Sequence, residues 1–105
     1  MEIESLEVYS EQSNKAIVRM NNRNYPGLVI QGDSLSILFC EIQELSLRLR
    51  EIKIKDEELL YLAQGLQEKL LDSLLHYQQT LQKHSIELPF SKVFSADDLI
   101  NLVQE

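Results

Sequence analysis

The apolar positions alternate from about residue 4 to residue 30 and recur every three or four residues from about residue 33 to residue 83. The period changes once, at Gln31-Gly32-Asp33-Ser34. Before that joint the alternation predicts strands. Residues 4–9 put Leu6 and Val8 on one face and Ser5, Glu7 and Tyr9 on the other. Residues 10–14 are a polar turn, and residues 16–20 then turn Ala16, Val18 and Met20 inward and Arg19 outward. A second polar connection leads into Pro26-Gly27, where proline presets φ and glycine is expected to supply the positive φ of a type II turn. Residues 28–30 close a three-stranded antiparallel meander, which is marginal alone and needs a helix over its apolar face.

After the joint, Leu35, Leu38, Ile42, Leu45, Leu49 and Ile52 follow the spacing of a helix packed along another helix. That helix is predicted over residues 33–51, with Asp33 or Ser34 as its cap. A second runs over about residues 56–83 and is expected to bury Leu59, Ala63, Leu66, Leu70, Leu74, Tyr77 and Leu81, with Leu60, Leu71 and Leu75 flanking and Gly65 a mild weak point. The basic Lys53-Ile54-Lys55 and acidic Asp56-Glu57-Glu58 suit a helix end and a helix start, and so short a connection makes the pair antiparallel. Beyond Pro89, Ser95-Ala96-Asp97-Asp98 starts a last short helix through Leu99, Ile100, Leu102 and Val103. The predicted fold is α+β, a three-stranded antiparallel meander packed on an antiparallel two-helix hairpin with a short C-terminal helix. It forms one domain, with the small sheet in residues 1–31, the hairpin in 32–84, and a loop and short helix in 85–105. Leu6, Val8, Val18, Ile30, Leu38, Ile42, Leu45, Leu66 and Leu70 are the expected core.

Composition narrows the function. The chain has 105 residues, 44% of them hydrophobic, enough for one modest core. Seventeen acidic against ten basic residues give a net charge of −7, which argues against a nucleic-acid backbone as partner and for a basic one. Cys40 is the only cysteine, so an internal disulfide is impossible, and Met-Glu-Ile-Glu has neither the basic end nor the apolar run of a signal peptide. Both point to a cytoplasmic protein, and no apolar run approaches the roughly 20 residues of a membrane span.

Gly32-Asp33-Ser34-Leu35 resembles the nucleophile block of the Gly-Asp-Ser-Leu lipases and esterases. The resemblance ends there. That family's mechanism also needs an oxyanion-hole glycine and asparagine and an Asp-x-x-His base, and none is present. Asp72 and His76 share a helix face, but two ligands are not a metal site, and His84 lies about two turns further on, beyond the predicted helix end. Cys40, beside the apolar stripe, is expected to be a buried small hydrophobe rather than a reactive thiol. The three glycines match no phosphate loop. The expectation is a protein without enzymatic activity or cofactor.

Arg23-x-x-Pro26-Gly27-x-x-x-Gln31-Gly32-Asp33-Ser34-Leu35, preceded by a strand such as Ala16-Ile17-Val18-Arg19, resembles a small uncharacterised bacterial domain family, over roughly residues 4–80. That resemblance implies no catalytic role and no functional residue, and it carries a likeness to small acidic immunity proteins that accompany bacterial toxins. Arg23 and Gln31 are structural parts of the motif, Gln31 being placed to satisfy backbone groups at the strand-to-helix corner.

Charge is unevenly spread: residues 1–14 carry −4, residues 15–55 carry +3, and residues 56–84 and 85–105 carry −3 each. The specific expectation is an immunity protein that lays acidic side chains over a cognate basic toxin. The alternative is a self-associating helical scaffold or adaptor, a homodimer burying the surplus leucines Leu60, Leu71 and Leu75. The candidate contact surface is a stripe on the second helix opposite its core face, Glu57, Tyr61, Gln64, Glu68, Asp72 and Gln79. Rival acidic contacts are Glu7, Tyr9 and Glu11, or Asp97 and Asp98.

Overall fold

The computed structural model describes residues 1–103; residues 104 and 105 of the predicted C-terminal segment lie outside them. Three strands, β1 (Glu7–Ser10), β2 (Ile17–Arg19) and β3 (Gly27–Leu28), form an antiparallel sheet in chain order. Two long helices follow, α1 (Gly32–Glu51) and α2 (Glu57–Lys83), then a 3₁₀ turn at Ala96–Asp98. The α+β class, the meander and the helical hairpin agree with the pattern of the sequence.

β1 meets β2 in the register Glu7 to Arg19 and Val8 to Val18, with a bulge before Ser10. The turn between them closes through the Lys15 N–H donating to the Gln12 carbonyl at 3.0 Å, with Asn14 left-handed at φ 64°. The expected type II turn at Pro26-Gly27 does not form. No glycine has positive φ, and Gly27 pairs with Val18 inside β3. The chain reverses earlier, where the Arg23 N–H donates to the Met20 carbonyl at 3.0 Å.

Both helices end in the same way. Beyond α1, Lys53 at φ 55° bonds back to Arg50 and Ile54 to Leu49; beyond α2, Ser85 at φ 56° bonds back to Gln82 and Ile86 to Leu81. This is the Schellman pattern of a left-handed closing residue, made here without the usual glycine. At its start α2 is capped by Asp56, whose Oδ1 accepts from the Leu59 N–H at 3.2 Å. The predicted cap of α1 is different: Gln31 holds the cap position without a side-chain bond, and Asp33 accepts from the next residue, Ser34, at 2.8 Å inside the first turn. Gln31 therefore does not satisfy the corner as expected.

The core lies between the helices and the C-terminal segment. Leu35 and Phe39 of α1, Leu71 and Leu74 of α2, and Phe94 form one cluster, joined at its edge by Ile42, Leu70, Leu75, Tyr77, Phe90 and Leu99. The rings of Phe39 and Phe90 both meet that of Phe94 edge-on, at 5.8 and 5.3 Å between centroids. Gly32 is buried because Tyr77 lies across it: a Cβ there would sit 2.1 Å from the tyrosine Cζ.

The expected core therefore needs correction. Leu38 is 43% and Leu66 51% exposed, and Val8, Ile30 and Leu45 are exposed too, while Leu6, Val18, Ile42 and Leu70 are half-buried. Leu59 is exposed, and Leu71, assigned to the flank, is buried. Cys40, expected inside, is exposed. The stripe of α2 that faces inward is Ala63, Gln67, Leu71, Leu74 and Gln78, rotated toward two glutamines that a reading of polarity assigns to water. The sheet covers less of the hairpin than its alternation predicts, since the main contacts between elements are helix with helix and strand with strand. The radius of gyration, 16.6 Å, exceeds the ~13 Å of a compact domain of this size, and the molecule measures 49 × 31 × 25 Å.

Candidate functional site: the seam between α2 and the C-terminal segment

After the 3₁₀ turn the chain does not continue as a helix through Leu99–Val103, as its apolar residues suggested. Leu99 is already extended, at φ −73° and ψ 129°. Ser95 does cap the turn as predicted: its hydroxyl accepts from the Asp97 N–H, and the Asp98 carboxylate accepts from the Ser95 N–H at 2.8 Å. Beyond it, helix side chains take the backbone groups that a helix needs for itself.

Gln67 donates to the Ile100 carbonyl at 2.9 Å and accepts from the Ile100 N–H at 2.7 Å. Gln78 makes the same pair with Phe94, at 2.9 and 2.8 Å. Each primary amide thus meets one residue as a neighbouring strand would, with both a donor and an acceptor. Gln64 accepts from the Leu102 N–H at 2.9 Å, and Gln43 of α1 donates to the Asp98 carbonyl at 2.7 Å. Gln67 and Gln78 are buried, so losing either partner would strand polar atoms at a cost of about 1–3 kcal/mol. The alternation of Ile100 and Leu102 matches the period of an extended chain.

This arrangement decides what the predicted stripe presents. Glu57, Tyr61, Glu68, Asp72 and Gln79 are exposed, Tyr61 by 61%. Gln64 is committed inward to Leu102, and its Nε2 also donates to Glu68 at 3.1 Å. A shallow groove of about 910 Å³ runs between α2 and the extended segment, lined by Tyr61, Gln64, Gly65, Glu68, Leu99, Asn101 and Val103. Glu57 and Asp72 border smaller depressions along the same seam, and Gln79 borders none of these three. The far wall, Leu99, Asn101 and Val103, was not anticipated. The available signal was glutamine at inward positions 67 and 78 of α2.

The rival acids are more engaged. Arg19 reaches across the hairpin to Glu7 through both Nη2 and Nε, and Tyr9 donates to the same carboxylate. The Arg19 and Tyr9 bonds bring the Glu7 carboxyl down to about 2 from 4.5, and the contact raises Arg19. Burial pushes Asp98 up, but its bonds to Lys92, at 2.5 Å, and to the Ser95 N–H outweigh this and hold it below its ordinary value. Glu11 and Asp97 are exposed.

Gly32-Asp33-Ser34-Leu35 forms the first turn of α1. Leu35 is buried, Ser34 is half-buried, and its N–H is held by Asp33. Among the described residues no group of three or more His, Cys, Asp or Glu is placed to hold a metal ion, and no helix is long and apolar enough to cross a membrane.

Residues 1–90 match a family of unknown function, DUF6959. The chain belongs to this family. The matched stretch holds the sheet, both helices and the four glutamines, while Phe94, Ile100 and Leu102, which those glutamines engage or face, lie beyond it. No curated protein and no solved structure matches the chain.

Proposed function

We propose that this DUF6959 chain is a non-catalytic protein-binding module whose partner is a basic protein domain, and specifically that it neutralises a toxin by direct contact as an immunity protein. The observation that carries the reading is the seam. Exposed Tyr61 and Glu68 line an open groove whose far wall is tied to α2 by Gln64 and Gln67, and exposed Glu57 and Asp72 border depressions on the same seam. Exposed carboxylates near an exposed aromatic suit capture of a positively charged surface, because charge speeds encounter and the ring anchors the complex. The net charge of −7 acts in the same direction.

The test is co-expression with the product of the adjacent gene. The expected result is growth arrest by that product alone, relief when this chain is present, and a 1:1 complex. In that complex, reversing Glu57, Glu68 and Asp72 to lysine slows association and removes its salt dependence, and Tyr61→Ala costs about 2 kcal/mol of binding. A neighbour that is harmless and forms no complex contradicts the toxin reading. Association unchanged in a folded triple variant contradicts this surface.

A further inference from the structure

The hairpin has two broad sides, and its own chain closes only one. Leu38 and Leu45 of α1 and Ile52 just past its end recur every seventh residue, and Leu59, Leu62 and Leu66 follow helical spacing along α2. At about 100° per residue these six lie roughly 140–180° around their helices from Gln43 and Gln64, the side chains that turn to the C-terminal segment. They therefore share the opposite side, and they are exposed by 39% at Leu59 up to 66% at Ile52 and Leu62.

We infer that this side is the contact surface of a homodimer, in which two hairpins pack face to face as a four-helix bundle. Three observations select a second copy as the occupant. The first is area: the six side chains expose roughly 600 Å² together, so two copies would remove roughly 1,200 Å², where specific interfaces begin and at the upper end of what a monomer leaves bare. The second is spacing. A seven-residue spacing along α1 and its end, antiparallel to α2, is the spacing of the seam that helices bury against other helices at a shallow angle.

The third observation is charge at the rim. Gly32 beside Tyr77 sets the level of one helix against the other. About two and a half turns on, Glu41 of α1 falls within one residue of the level of Lys69 of α2, and about two turns further Arg48 is level with Tyr61, one turn from Glu58. All four charged residues are exposed, and among the described residues Arg48 pairs with Glu44 of its own helix, at 3.2 Å. A two-fold axis along the hairpin lays α1 over α2 of the second copy at the same level. Glu41 then faces Lys69 of the second copy, and Arg48 approaches its Glu58. An isologous contact of this kind closes on itself and leaves the Tyr61 seam free, so it stands independently of the proposed function.

Sedimentation equilibrium of the full chain over a range of concentrations tests it. The expected result is a mass near twice 12.2 kDa, falling to 12.2 kDa on dilution. Leu45→Glu with Leu66→Glu weakens the association by more than about a hundredfold, with the helical circular-dichroism signal retained because both positions are exposed in the single chain. Should that variant unfold, the rim decides: Glu41→Lys weakens the dimer about tenfold and adding Lys69→Glu restores it. A chain that stays at 12.2 kDa at every concentration overturns the inference. So does a folded double variant that associates as before, or a charge swap that restores nothing.

Discussion

Gly32 shows how much one side chain can decide. It opens α1 and belongs to the tetrapeptide that resembles a hydrolase nucleophile block, yet its evident role here is to have no Cβ where Tyr77 crosses the helix start. Gly32→Ala should destabilise the protein by about 1 kcal/mol, since the tyrosine ring must shift against Phe90, 6.4 Å away between centroids. With Tyr77→Leu in place, the same change should instead stabilise by up to about 1 kcal/mol, because alanine is the better helix residue. Chemical denaturation of the four chains checks this; the same sign in both backgrounds would contradict it. Nothing in the sequence marked this contact, because the partners are far apart in the chain. The glutamines were legible in principle. Gln67 and Gln78 stand at inward positions of α2, but polarity argued for water, and the predicted stripe turned onto Leu66 and Leu70 instead.

At the scale of elements, the helices were the easiest to read. A period of three and four over some fifty residues located both, and the charged Lys53–Glu58 stretch located the connection. The strands are shorter than their alternation suggested, and the turn was misplaced because Pro-Gly has a strong turn signature that the pairing of Gly27 with Val18 overrides. What holds β1 to β2 on the exposed side is the Glu7–Arg19 contact, and its pH dependence follows from the lowered carboxyl. A depressed folded value means that the contribution is complete above about 4.5 and is lost as pH falls toward about 2. A side-chain NMR titration of Glu7 should therefore show a midpoint well below 4.5, returning toward 4.5 in Arg19→Gln. A normal midpoint in the unmodified chain would contradict the pairing.

The whole molecule is a hairpin with a closed side and an open one, preceded in the chain by a small sheet. The predicted class required no knowledge of the C-terminal segment, but the identity of the closed side did. Residues 99–103 look helical by composition, but Gln67 and Gln64 of α2 take the Ile100 and Leu102 N–H groups that a helix would use. The acidic stripe was visible as a periodicity, whereas its setting beside a groove depended on that segment. Residue-resolved amide hydrogen exchange tests this docking most directly. The N–H groups of Phe94, Ile100 and Leu102, held by Gln78, Gln67 and Gln64, should exchange far more slowly than that of Asn101 between them. Uniformly fast exchange from residue 94 to residue 102 would mean that the segment does not close the hairpin, and the account of the seam would fall with it.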